Sequence, residues 1–289
     1  MVEYTCKNCG GQMKLSEAGG FVCPYCNSHF FMADKDFQNN QQFRKKLLSY
    51  QKAQNDEKTM SYATDTLWEK RGRDTYLTPQ GQKVNIDFMD KFLYNGCILY
   101  VAKETVIYVF EKSTEADQFL VGLHKLTFPE ADSKLYRCFP ELKKTMDLTE
   151  GKALIFVRRP HFYPLQCFIP LEVSHAAWVV SRMENICCAL EFSDLQHGGI
   201  TPQSLFINVN THEGALFGDW RGVHKKTGRE DLLSIRQVAK AITIGEGGPA
   251  LYREFLNSMP KETAFDDFSY WDTVVEKGFG GHNFRKYQK

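Results

Sequence analysis

The chain has 289 residues, with 36 basic and 35 acidic side chains, and 43% of its residues are hydrophobic and 13% aromatic. This length holds one small module and one or two larger domains, and the balanced charge disfavours a general nucleic-acid or membrane-surface binder, which carries a basic excess. No apolar run nears the roughly 18–20 residues of a membrane helix and no apolar block resembles a signal peptide, so a cytoplasmic protein without membrane contact is expected.

The first chemically specific feature is Cys6-Lys7-Asn8-Cys9 and Cys23-Pro24-Tyr25-Cys26, two CxxC turns near the N-terminus. Zn²⁺ favours four soft ligands in a tetrahedron, and each CxxC turn presents two thiolates from one bend. Gly10, Gly11, Gly19 and Gly20 supply the backbone freedom that such turns need. The spacing predicts a structural zinc on Cys6, Cys9, Cys23 and Cys26, with no open position for water and no catalysis. Two disulfides or a redox pair are the competing readings, and a redox site needs a single CxxC. The stretch resembles the zinc ribbons of many cytosolic and nucleic-acid-related proteins. His29 is expected at the surface, outside a shell that four cysteines already complete. Cys97, Cys138, Cys167, Cys187 and Cys188 are odd in number and flanked by apolar residues, which marks reduced buried thiols.

Residues 34–70 contain neither proline nor glycine and run through Gln38-Asn39-Asn40-Gln41-Gln42 and Arg44-Lys45-Lys46. Phe37, Phe43, Leu47, Leu48 and Tyr50 fit a helical stripe loosely, so a polar helical linker is expected, with the basic triplet on a solvated face. From Arg73 the pattern turns to strands. Asn85–Phe88 opens one, and Cys97–Ala102 and Thr105–Phe110 are rich in β-branched and aromatic residues. Lys103-Glu104 between them suits a hairpin turn. Ser113 is placed to cap a helix with Phe119, Leu120, Leu123 and Leu126 on one face. Ala153–Val157 predicts another strand. Beyond Pro164 the chain turns helical, with an apolar helix over His175–Phe192 and another over Asp231–Ile244. Leu205–Ile207 and Ala215–Phe217 form a strand pair between them. Trp271 and Phe279 read as packing residues.

A strand-rich half holding one helix, followed by a helical half with a short hairpin, is the order of two-lobed protein kinases. Two segments carry the resemblance. His197-Gly198-Gly199-Ile200-Thr201-Pro202-Gln203-Ser204 resembles a degenerate kinase catalytic loop, and Gly218-Asp219-Trp220-Arg221-Gly222 resembles the metal-binding Asp-Phe-Gly segment. The implied fold class is α+β: a small zinc ribbon (1–33), a polar helical linker (34–72), a β-rich N-lobe (73–160) and an α-rich C-lobe (161–289). The resemblance extends to degenerate kinase-like proteins of bacteria and their viruses.

Carried over residue by residue, the resemblance implies impaired chemistry. A kinase needs a loop carboxylate to orient the substrate hydroxyl, and Gly199 stands there. Ser204 replaces the second metal ligand, and Thr201 replaces a basic residue. Val109 falls where the phosphate-binding lysine is wanted, with Lys112 just beyond it as a weak substitute. Gly122, His124 and Lys125 stand where its glutamate partner is wanted, while Glu115 and Asp117 suit helix capping. Gly96 alone remains of a glycine-rich loop. Asp219 survives as a Mg²⁺ ligand. No working catalytic residue is expected in the loop of His197, Gly199 and Ser204, and Asp219 and Lys112 are the candidate contacts for a weakly held Mg²⁺–ATP.

The expected function is a pseudokinase that binds another protein. An active atypical kinase or nucleotidyl transferase using Asp219 and a displaced base such as Asp194 is the first alternative. A zinc-ribbon nucleic-acid adaptor is the second. His124, His161, His175, His212, His224 and His282 show no metal spacing, Cys187-Cys188 reads as core, and Gly245–Pro249 lacks the lysine of a P-loop.

Overall fold

The computed structural model describes residues 6, 11–15, 21–26, 29–30, 65–128, 134–243 and 247–282. Near the N-terminus β1 (Lys14–Leu15), β2 (Phe21–Val22) and β3 (His29–Phe30) pair antiparallel in that order. The Cys6 N–H donates to the Gly11 carbonyl at 2.8 Å. The expected linker helix lies outside the described residues as far as 64, and residues 65–70 are irregular.

A hairpin of β4 (Gly72–Leu77) and β5 (Lys83–Phe88) comes next. It is followed by β6 (Asp90–Tyr94), β7 (Cys97–Val101), β8 (Thr105–Phe110), helix α1 (Ser113–Leu123), β9 (Leu142–Asp147) and β10 (Lys152–Val157). The last five strands form one antiparallel sheet in the order β6-β7-β8-β10-β9. Alternation along β8 splits its side chains between two cores. Val106, Tyr108 and Phe110 join Phe119 of α1 and Phe156 of β10, while Val109 joins Ile86 and Phe88 of the β4–β5 hairpin. Burial on both faces explains why β7, β8 and β10 read as unbroken apolar runs. Of the strands missing from the sequence reading, β6 and β9 are the sheet edges, where charged residues block further pairing. At the start of α1, Ser113 is the first helical residue, and Lys112 takes the cap position without a side-chain cap bond. Glu115 in the first turn complements the helix dipole.

The helical half contains β11 (Tyr163–Pro164), α2 (Val173–Phe192), β12 (Leu195–Gln196), β13 (Leu205–Asn208), β14 (Glu213–Leu216) and β15 (His224–Lys225). Helices α3 (Glu230–Ile242), α4 (Ala250–Asn257) and α5 (Ala264–Gly278) complete it. Trp271 packs at centre-to-centre distances of 4.7 Å on Phe255, 6.0 Å on Tyr252 and 6.4 Å on Phe279. No helix among the described residues is long and apolar enough to cross a membrane.

Two buried ion pairs hold this frame. Where the sheet gives way to the helical half, Arg158 meets Asp65 at 3.0 Å, both side chains almost wholly buried. Among the helices, Arg236 of α3 binds Asp267 of α5 through both forks and lies 3.4 Å from Glu184 of α2. Burial, reinforced by the Asp267 charge, pushes the Glu184 carboxyl well above the usual glutamate range, and its Oε2 is buried without a hydrogen-bond partner. The folded state therefore holds this proton more tightly than the unfolded chain does. Its contribution is present below the unfolded glutamate value of about 4.3 and is lost as pH rises through the elevated folded value. Glu184→Gln should accordingly be more stable than the parent at neutral pH and should flatten that part of the curve. Thermal melts from acidic to neutral pH check this, and a variant less stable than the parent at neutral pH would contradict it.

Candidate functional site

The loop leaving α2 is held by α3. The backbone N–H groups of His197 and Gly198 each donate to the Asp231 carboxylate at 2.7 Å. Asp231 is buried, so a charged acceptor anchors the loop from below. The His197 ring is also buried, and desolvation lowers its pKa. The neutral ring accepts the Gly199 N–H at Nδ1, 3.1 Å away, and stands edge-on to Trp220 with centroids 4.7 Å apart. A Cβ on Gly218 would lie 2.5 Å from this ring, so only glycine lets the second segment pass. His197 thus joins the two motifs, with Gly199 on one side of its ring and Gly218 on the other. It serves as a structural spacer.

Ser204 does not face outward as a metal ligand. Its Oγ donates to the Gly199 carbonyl at 2.8 Å and accepts the Thr201 N–H at 2.8 Å, and the residue is buried. The hydroxyl closes the loop upon itself. Alternation turns Val109, which the resemblance sets at the phosphate-binding lysine, to the outer face under the β4–β5 hairpin. Tyr108 holds the inner place, and its hydroxyl donates to the Gly218 carbonyl at 3.1 Å. An even-numbered count along β8 would have found Tyr108.

Asp219 caps the short turn Trp220–Gly222 by accepting the Arg221 N–H at 3.0 Å. The Arg221 guanidinium then folds back. It donates to Asp219 Oδ1 at 2.9 Å and Oδ2 at 2.6 Å, to Glu115 Oε2 of α1 at 2.8 Å, and to the Asn95 carbonyl at 2.6 Å. Asn95-Gly96 is the two-residue tip between β6 and β7, with Gly96 at φ 71°. A Cβ on Gly96 would meet Glu115 Oε2 at 2.7 Å. One cation therefore ties the hairpin tip, the helix and the Asp219 segment together. Charge-assisted bonds of this kind are about twice as strong as neutral ones. The bond to Asp219 chiefly raises the Arg221 pKa.

Of the other candidate residues, Lys112 touches the edge of this knot and the rest take other partners. Lys112 is 73% exposed at its side chain and stands 3.9 Å from Glu115, at the rim. Asp117 pairs with Lys152 at 2.8 Å. Asp194 is exposed, has φ 55°, and pairs with Lys225 at 3.3 Å. Burial raises both thiols of the Cys187-Cys188 pair, Cys188 to about 12 and Cys187 well above its usual range, so neither is a thiolate nucleophile at neutral pH. Part of the Gly245–Pro249 loop lies outside the described residues. Glu115 had been read only as a capping residue, and Asp231 and Arg221 were missed altogether. All three reach their partners across segments distant in the chain, which no local pattern displays.

Cys6, Cys23 and Cys26 form the one His/Cys/Asp/Glu group, among the described residues, close enough to share a metal ion: their sulfur atoms all lie within 4.8 Å of one another. Cys9 lies outside the described residues, as does the His29 side chain. Cys6 and Cys23 are buried, and the Cys6 and Cys26 sulfurs are 3.4 Å apart. A tetrahedral zinc site with bonds of about 2.3 Å separates its sulfurs by about 3.8 Å, so three corners of the donor set fit such an ion. The Mg²⁺–nucleotide donor set does not fit: Asp219 is bound by a guanidinium and Ser204 is turned inward.

No protein-family model and no curated protein sequence matches the chain. Solved structures do. Vaccinia related kinase 3 superposes with a TM-score of 0.50 at 10% identity, over 78% of this chain and 97% of that one. The BubR1 kinase domain gives a TM-score of 0.50 at 8% identity, over 83% and 93%. The bifunctional kinase-methyltransferase WbdD gives 0.48 at 12% identity over 67% of this chain, which spans about half that protein's length, 47%. The chain has a protein-kinase-like α+β fold.

Proposed function

We propose that this chain is a kinase-fold binding protein with little or no phosphoryl transfer, carrying an N-terminal zinc ribbon on Cys6, Cys9, Cys23 and Cys26. The observation that carries the first part is Arg221. Kinase catalysis is almost wholly positioning and charge neutralisation around metal-bound phosphates. Here a side chain of the protein itself neutralises Asp219, and its bonds to Glu115 and Asn95 draw the hairpin tip down over that carboxylate. Gly199 offers no group to orient a hydroxyl, and Asp194 is engaged with Lys225 at the surface, which disfavours an active atypical enzyme. Balanced charge disfavours the nucleic-acid adaptor. The preferred partner is another protein in the cytoplasm, with the ribbon at 1–33, a linker to 72, and lobes at 73–160 and 161–289.

The test combines a thermal-shift titration with Mg²⁺–ATP and a phosphotransfer assay on the full chain. A ligand that binds only the folded state must raise its melting temperature. Little or no shift is expected for the parent chain, any shift should vanish in Asp219→Ala, and no transfer should be detected. Transfer that Asp219→Ala abolishes would restore the enzyme reading, with Asp194 the first residue to replace.

For the ribbon, one zinc per chain is expected in elemental analysis of protein purified without chelator. Cys23→Ser should remove it and melt the ribbon, because binding and folding are coupled at such sites, while the larger domain keeps its transition. Zinc-free protein would defeat this assignment.

A further inference from the structure

A second charged cluster shares no residue with the Asp219 knot. Arg137 comes from the 3-10 turn Lys134–Cys138, Arg159 from the segment after β10, Arg182 from α2 and Glu213 from the start of β14. Glu213 Oε1 is shared by Arg137 at 3.3 Å and Arg159 at 3.4 Å, and its Oε2 accepts the Thr211 hydroxyl at 2.7 Å. Arg159 is fixed: its guanidinium lies 3.9 Å over the Phe162 ring and donates to the Arg137 carbonyl at 2.7 Å.

Arg182 differs from both. Its Cβ and Cγ run along Gly214, where an added Cβ would meet them at 3.0 and 3.4 Å. Among the described residues it has no carboxylate partner, and its Nε is buried without a hydrogen bond. All three arginines and Glu213 act on the neighbouring Cys138 thiol, so the four charges share one locality. Glu141 acts on Arg159 as well. Even with it included, three cations face two carboxylates.

Glu213 acts on Arg182 only at longer range, and a half-buried guanidinium with no carboxylate at bonding distance is costly unless an anion is supplied. Desolvation lowers the pKa of Arg159 and of Arg182, which is the cost that an anion would relieve. The guanidinium fork matches tetrahedral oxyanions by paired hydrogen bonds, which ammonium groups cannot reproduce.

We propose that Arg137, Arg159 and Arg182 form a binding site for a doubly charged oxyanion of the phosphoryl type, with Arg182 as its principal donor. The pinned Arg159 supplies fixed charge, the half-exposed Arg137 closes the outer side, and Glu213 competes with the ligand. The site is independent of the nucleotide question, since it uses none of Asp219, Arg221 or Glu115.

The test uses the full chain at low, matched ionic strength, with chloride as the reference. Inorganic phosphate is titrated by thermal shift and calorimetry, and a phosphoserine peptide and its unphosphorylated form make the second arm. Phosphate should raise the melting temperature above the chloride baseline. Arg182→Gln should weaken binding by roughly tenfold or more, and Glu213→Gln should strengthen it. Peptide binding that is much tighter than phosphate and lost on dephosphorylation would place the group on a partner chain. Equal affinities would indicate a free ion or small metabolite. If Arg182→Gln does not fold, Arg137→Gln, at an exposed position, serves in its place. The proposal is overturned if neither phosphate nor phosphopeptide acts beyond chloride, or if binding survives unchanged in these arginine variants.

Discussion

Arg158→Met should lower the stability of this protein by about 3–5 kcal/mol, the range for breaking a buried ion pair from one side. The Arg158 side chain is fully buried and Asp65 nearly so. The guanidinium donates to the Ala102 carbonyl at 2.9 Å and the Phe162 carbonyl at 2.9 Å as well as to Asp65. Asp65 also accepts the His161 N–H at 3.0 Å and the Tyr163 hydroxyl. Methionine fills the volume but leaves a buried carboxylate uncompensated and the three carbonyls of Ala102, Lys103 and Phe162 without their donor. The double variant Arg158→Met with Asp65→Leu should recover much of the loss, because it removes both charges together. Urea unfolding reads this as a shift in midpoint at unchanged slope. A loss under about 1 kcal/mol for the single variant would mean that water reaches the pair. The pair fastens the segment entering the sheet to the segment leaving it.

Gly122→Ala should be the most damaging single-methyl change in the site. A Cβ at residue 122 would lie 1.9 Å from the Trp220 carbonyl oxygen and 3.0 Å from its carbon. Both are backbone atoms and cannot rotate away. Helix α1 must then move off the turn that carries Arg221, which stretches the Arg221 bond to Glu115. Overpacking of this kind costs about 1–3 kcal/mol and occasionally more. Gly222→Ala is the internal comparison: it lies in the same turn, nothing stands within 4 Å of its added Cβ, and its effect should stay within about 0.5 kcal/mol. Unfolding midpoints of the two variants decide the matter, and equal losses would show that α1 does not sit against the turn.

Much of the fold was legible in the chain. The apolar runs at β7, β8 and β10, the long helix α2 and the β13–β14 pair all appear where residue type and periodicity place them, because each buries a continuous face. Edge strands β6 and β9 were hidden by their charges, and β4 by its pairing with a strand recognised only in part. The two motif segments were legible as a resemblance, and the structure brings them together at the His197 ring. Spacing alone also marked the cysteine turns, of which three thiols are seen to converge.

What the residues do in space was decided by tertiary structure. Strand phase cannot be read from a run that is apolar on both faces, so Val109 and Tyr108 were exchanged until the hairpin and α1 assigned the sides. That Ser204 stands in place of the second metal ligand is legible in the chain, but that its hydroxyl closes its own loop is shown only by the fold. Arg221 carried no local signal, because its partners Glu115 and Asn95 lie 106 and 126 residues away. Asp219 and the Arg221 that neutralises it stand two residues apart in the chain, whereas the bonds that carry Arg221 on to Glu115 and Asn95 exist only once folding brings those segments within hydrogen-bond distance.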